Sequence, residues 1–388
     1  MNQTIPAGLP TADATEQQFG DQVKDHIINR INRNGGSISF AEFMHLALYA
    51  PGLGYYTAGK NKFGEAGDFI TAPEISSLFG YCLAQQCADI IGDVDNADIL
   101  EIGAGSGKLA CDMLARLEQL GQLPAHYYIL EVSADLRQRQ QQLLGSTLPQ
   151  LADRVLWLDT LPTRFRGIII ANELLDAMPV ERFLLSGNGI EQLGVATENG
   201  ELCWQRQPAN DVLTGRVNRL GLSAPYISEI NFNAEAWIAS LADIIDQGLV
   251  LLIDYGFPEH EYYHADRREG TLMCHYKHHS HDNPLVLTGL QDITAHVDFT
   301  AVAQAAVDNG LDVAGYTSQA AFLIGCGLEQ LAADLDLADD RTRLSMAAQI
   351  SKLTQPSEMG ELFKVIGLGK HINTLLRGFM VQDRRDRL

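Results

Sequence analysis

Basic residues are in short supply: 28 lysines and arginines stand against 49 aspartates and glutamates, a formal charge of −21 at pH 7. A surface that tracks phosphates must be positive, so this balance argues against nucleic acid as a partner, while a cationic substrate or a basic protein segment would be attracted. Cysteine is sparse as well. The six (Cys82, Cys87, Cys111, Cys203, Cys274 and Cys326) include no C-x-x-C pair, which offers neither a zinc knuckle nor a disulfide framework and reads as reduced core thiols. The histidines of His275–His281 have no cysteine or carboxylate set at ligand spacing beside them, so no metal is assigned. Also missing are a basic N-terminal region leading into an apolar run and any apolar stretch long enough to span a bilayer. The expectation is a cytoplasmic protein without membrane insertion.

What the chain does have is ADILEIGAGSGKLA, Ala97 to Ala110. Ile99, Leu100 and Ile102 read as a buried strand, Gly103, Gly105 and Gly107 as a tight turn, and Lys108 to Leu120 as a helix. A strand that stops at glycines and restarts as a helix brings bare N–H groups and a helix N-terminus to a sheet edge, where a polar small molecule binds. The next strand, HYYILEVS, ends near Glu131, whose carboxylate can accept hydrogen bonds from both hydroxyls of a ribose. Together these suit a nucleoside ligand. The spacing is G-x-G-x-G and not the G-x-G-x-x-G that seats a pyrophosphate, which disfavours a nicotinamide-dependent oxidoreductase. With Glu101 before it, the loop resembles the E/D-x-G-x-G-x-G loop of class I methyltransferases, which bind S-adenosylmethionine.

Around this stretch the chain divides into four parts. Residues 1–95 carry a Pro/Thr/Ala-rich lead, helices over Phe19–Arg33 and Phe40–Leu48, a glycine- and aromatic-rich segment read as a lid over Gly59–Glu74, and a helix from Ser76 to Ile91. Residues 96–180 hold strands Asp98–Ile102, Tyr127–Val132, Arg154–Leu158 and Gly167–Ala171, apolar on both faces as parallel strands covered by helices are. Residues 181–246 form an insertion between the fourth and fifth strands, an antiparallel meander followed by a helix over Ala234–Asp246. Residues 247–388 complete the core with strand Leu249–Ile253, a His-rich loop, a helix over Thr300–Asn309, a strand over Leu311–Tyr316, a helical stretch and a last strand within Leu362–Gly367. The fold class is α/β, a doubly wound Rossmann-like sheet with an N-terminal helical and lid segment.

Polar groups follow every strand of the core, and in an open α/β sheet ligands sit at that edge. Six blocks, GDFITAPEISSLFG, LEIGAGSGKLACDML, ANELLDAMPVERF, LLIDYG, DITAHVDF and MGELFKVIGLG, resemble in order those of the MidA-like methyltransferases, from about Ile38 to Gly369. That family includes a mitochondrial complex I assembly factor that methylates an arginine of a complex I subunit. Its glycine block is usually G-P-G-R-G; here Ala104 and Ser106 replace the Pro and the Arg, so contacts of that arginine are absent.

The resemblance implies S-adenosylmethionine as cofactor and a protein substrate, by analogy a respiratory-complex subunit. On the cofactor side it implies Gly103, Gly105 and Gly107 against the methionine part, Glu101 on its ammonium, Glu131 on the ribose, Asp159 on the adenine amine, and Asn172 nearby. For catalysis it implies Glu173, with Asp176 behind it and Glu74 as a further carboxylate, because a guanidinium is oriented by carboxylates and must lose a proton as the methyl arrives. The alternative on the same scaffold is an assembly chaperone without turnover.

Overall fold

The computed structural model describes residue 6 and residues 8–58, 71–335 and 339–388. Residues 59–70, most of the segment expected as a lid, lie outside the described residues. The chain forms two compact units. The first gathers Met1–Phe69, Leu175–Ala234 and Glu259–Asp298; the second gathers Ile70–Leu174, Glu235–Pro258 and Phe299–Leu388.

In the second unit the apolar runs become parallel strands, β1 (Asp98–Ile102), β2 (Tyr127–Leu130), β3 (Val155–Leu158), β4 (Phe165–Asn172) and β5 (Ile245–Phe257). They are joined by β6 (Asp312–Ser318) and β7 (Phe363–Lys370), and the order across the sheet is β3-β2-β1-β4-β5-β7-β6. β7 runs antiparallel to both of its neighbours. Ile168, Ile169 and Ile170 of β4 are all fully buried, as a strand covered on both faces requires. The order reverses between β1 and β4, the switch point at whose carboxyl ends open α/β sheets bind ligands.

Four helices position the switch point: α1 (Ala72–Ile75), α2 (Ser77–Asp93), α3 (Lys108–Leu120) and α4 (Ala134–Thr147). In α3 the residues Leu109, Met113, Leu114 and Leu117 recur at helical spacing and are buried in the unit's main core, each such side chain stabilising the fold by about 1.5–3 kcal/mol. Ser76 caps α2, accepting from the Leu78 N–H. The helix expected over Ala234–Asp246 spans Phe232–Ile244. Ile245 already belongs to β5, where it pairs with Phe165.

The first unit has its own core around Val23, Ile27, Ile31, Phe40, Phe43 and Leu48. Its first helix spans Ala14–Arg33 and starts before Phe19, because Asp13 and Glu16 form a capping box within the polar lead. The meander is present as strands Glu181–Ser186, Gly189–Glu198 and Glu201–Pro208. A helix over Asp211–Arg219 and a strand over Tyr226–Ile230, which pairs with Glu181–Ser186, add to it. The His-rich loop is corrected to a hairpin, Met273–Tyr276 with His279–His281. Its turn residues Lys277 and His278 both take positive φ, as a two-residue hairpin turn demands, and the buried alternation of Cys274 and Tyr276 was hidden among the histidines.

Candidate active site

β1 ends at Ile102, and the ladder runs on for one more bond, from the Gly103 N–H to the Leu130 carbonyl at 3.1 Å. The turn that follows has φ of +74° at Gly103, +52° at Gly105 and +86° at Gly107, a left-handed path that side chains resist. Gly107 is the N-cap of α3, and a Cβ there would press on Gln140 at 3.1 Å. At Gly105 the reverse holds. Among the described residues a Cβ would meet no atom within 4 Å, so they leave the backbone here uncovered. Ser106 donates its hydroxyl to the Glu74 carboxylate and accepts from the Lys108 N–H at 3.2 Å.

Glu131 follows β2 on the same edge. One of its oxygens accepts from the Ser133 N–H at 2.9 Å and the other from Gln140 Nε2 at 3.0 Å. Burial pushes this carboxyl up, and the two donors pull it partly back. Glu101 lies deeper, 3% exposed, its Oε2 accepting from the Tyr127 hydroxyl at 2.8 Å. Burial, opposed by that hydrogen bond and reinforced by the charge of Glu131, pushes Glu101 up to about 7.

Asp159, after β3, is 85% exposed and pairs with Arg137 at 2.6 Å. At the end of β4, Asn172 donates from Nδ2 to Glu173 Oε1 at 3.1 Å, and the Ala72 N–H of α1 donates to the same oxygen at 3.3 Å. Glu173 has φ of +52°, a conformation that costs a residue with a Cβ about 1–2 kcal/mol. β5 holds this turn in place: the Ile253 carbonyl accepts from the Glu173 N–H at 2.9 Å, and buried Asp254 accepts from the Leu174 N–H at 3.2 Å. Glu74 is engaged with Ser106 of the glycine turn. Asp176 belongs to the first unit, 6% exposed, where its backbone carbonyl accepts from the Ala295 N–H at 2.9 Å.

The glycine turn, Glu131, Glu173 and Glu74 thus gather at the carboxyl ends of the parallel strands of one sheet. Two residues bind them together, one that the sequence reading placed on this rim without a role, Asp254, and one that it passed over, Gln140. Gln140 touches both the turn and Glu131, and Asp254 clamps the bend after Glu173. Asp254 had a signal in its position at a strand end; Gln140, within a run of glutamines, had none.

The arrangement fits S-adenosylmethionine on its own terms. The open space over Gly105 would take the methionine part, and the buried carboxylate of Glu131 offers an acceptor to ribose hydroxyls.

Comparison with known proteins agrees. Residues 82–317 match a family model described as "Putative S-adenosyl-L-methionine-dependent methyltransferase". A "likely methyl transferase" from Burkholderia thailandensis bound to S-adenosyl-homocysteine is 40% identical, with a TM-score of 0.95 over 98% of this chain and 100% of that one. The mitochondrial protein arginine methyltransferase NDUFAF7 of Danio rerio is 29% identical over 90% of this chain and 87% of its own length. Its homologue from Caenorhabditis elegans, also named mitochondrial, is 26% identical over 94% of this chain and 88% of its own length. These names correct the expectation of a cytoplasmic location. Compartment is set by address segments, and the patterning of a folded core carries no trace of it. The chain belongs to the family of S-adenosyl-L-methionine-dependent methyltransferases, and S-adenosyl-L-methionine is its cofactor.

Proposed function

We propose that the acceptor is an arginine of a protein, held by the carboxylate of Glu173. The observation that carries this is the backbone of Glu173 itself. A carboxylate kept at φ of +52°, with one oxygen fixed by the Ala72 N–H and Asn172, is backbone strain maintained for the sake of a side chain. The relatives named as protein arginine methyltransferases lend the same support.

S-adenosylmethionine, when bound, supplies an electrophilic methyl on sulfonium. The chain's own residues do the rest. Glu131 would accept from the ribose hydroxyls and Glu101 from the ammonium, while Val132, 73% exposed beside Glu131, would offer apolar surface to the purine and Asp159 an acceptor to its amine. Glu173 accepts hydrogen bonds from the guanidinium and turns one nitrogen toward the methyl. It would then take the proton that this nitrogen releases as the new N–C bond forms and the methyl's bond to sulfur breaks, with S-adenosylhomocysteine as the leaving group. An arginine cannot be deprotonated in bulk solution, so the nearby base is needed. Glu74, through Ser106, holds the glycine turn, and Asp176 is kept as the further carboxylate beside Glu173 in sequence.

The test is transfer of a radiolabelled methyl group into an extract of cells lacking the protein, with hydrolysis of the labelled band to identify the methylated residue. Methylarginine is expected. Glu173→Gln should leave cofactor affinity unchanged and lower labelling about 10²-fold or more, the range for general acid–base groups; Asp176→Asn is measured alongside. Label in another residue, or equal labelling by the Gln variant, rejects the assignment.

A further inference from the structure

Helix α4 presents RQRQQQ, Arg137 to Gln142, a run that reads as a solvated face. One member of it is fully buried. Gln140 donates from Nε2 to the Gly105 carbonyl at 2.9 Å and to Glu131 Oε2 at 3.0 Å, and its Oε1 accepts from Trp157 Nε1 at 2.9 Å. Every hydrogen-bonding direction of the amide used here points to a fixed partner, and the three partners come from β1's turn, β2's end and β3. An amide with both hydrogens and its oxygen committed has one orientation, so it sets the separation of the groups it joins.

We propose that Gln140 is a positioning residue for the cofactor, locking the carbonyl of Gly105 and the carboxylate of Glu131 together so that turn and acid meet the ligand as one preformed surface. The indole of Trp157 fixes which way round the amide lies. A flipped amide would aim its oxygen at a carboxylate and at a carbonyl, and its NH₂ at an indole N–H. Gly107 serves the same arrangement, since only a residue without Cβ leaves room for Gln140 to approach the turn. Preorganisation of this kind strengthens binding by removing the ordering that would otherwise accompany it.

The lock also bears on the protonation of Glu131. The Ser133 N–H and Gln140 donate to the charged form and partly offset the burial that disfavours it. Among the described residues, Glu101 on β1 is the neighbouring charge coupled to Glu131, and Arg137 on α4 is taken up by Asp159 and the Trp157 carbonyl. Removing the amide donor therefore moves the titration of Glu131 to higher pH. Binding that needs the ionised carboxylate is then lost at a higher pH on the acid side.

The experiment is calorimetric titration of the full chain with S-adenosylhomocysteine from pH 5 to 9. Gln140→Leu should weaken binding about 10-fold at pH 7 and shift the acid limb of the affinity profile upward. Gln140→Glu keeps an acceptor for Trp157 and carries the test if the Leu variant does not fold. Its introduced carboxyl can donate to Glu131 only while protonated, so affinity should fall as pH rises, the slope opposite to the parent's. A Leu variant within twofold of the parent overturns the proposal, as does a uniform loss with the acid limb unmoved, or a Glu variant that follows the parent's profile. The proposal rests on the assignment of Glu131 to the ribose. Glu131→Ala separates the two: weakened binding there with unchanged Gln140→Leu rejects the lock alone, and unchanged binding there rejects both.

Discussion

Two turns at the same sheet edge adopt the same backbone angle with opposite residues. Gly105 after β1 and Glu173 after β4 both have φ of +52°. The first carries no side chain and is left uncovered by the described residues; the second carries a carboxylate held by two donors. Where backbone must meet a ligand, glycine takes the left-handed angle without strain. Where a side chain must meet it, the strain is tolerated because β5 clamps the bend from below through Ile253 and Asp254. One turn is shaped by what it omits, the other by what it retains.

The largest expected effect comes from erasing that distinction on the cofactor side. Gly105→Val puts a branched side chain at a left-handed angle into the space over the turn, and S-adenosylhomocysteine binding should fall below detection in calorimetry while circular dichroism stays native. A variant that binds like the parent would make this turn structural only. A smaller loss is expected from the carboxylate assigned to the ribose. Glu131→Ala should weaken binding by about 1–3 kcal/mol, the consequence of leaving ligand hydroxyls without a charged acceptor. The smallest and sharpest test exchanges the two residue types on stability alone. Gly105→Ala should destabilise the free protein by about 1–2 kcal/mol. Glu173→Gly should be near neutral, because relief of a similar strain offsets the lost hydrogen bonds and the added freedom of the unfolded chain. Denaturant midpoints measure both, and equal losses would mean that Glu173 is not strained.

The core was readable wherever one local rule decided the outcome. Strand β1 lies over Asp98–Ile102 as its apolar run predicts, and the glycines take the positive angles their spacing suggests. Glu131 drew attention because it follows the strand after the glycine turn, the place of the ribose-binding acid in dinucleotide folds, and its own role is a proposal. Elements decided by distant partners were not visible. Tyr226–Ile230 is a strand because Glu181–Ser186 offers it an edge, and Asp211–Arg219 is a helix of two buried residues, Leu213 and Val217, too short for a clear period. Of the glutamines on α4, only the packing of Trp157 and the glycine turn selects Gln140. The address of the protein in the cell was not legible at all, since nothing in a buried pattern encodes it.

The place of β7 bears on how the protein is made. The last strand of the chain lies inside the sheet, between β5 and β6, and not at its edge. During synthesis β5 has emerged more than a hundred residues before its neighbour, and must wait with an unpaired row of N–H and C=O groups. Such an exposed edge is where nascent chains pair wrongly or recruit chaperones. A ribosome that stops short of Phe363 would therefore release a split sheet, recognisable to quality control, and not a slightly trimmed enzyme.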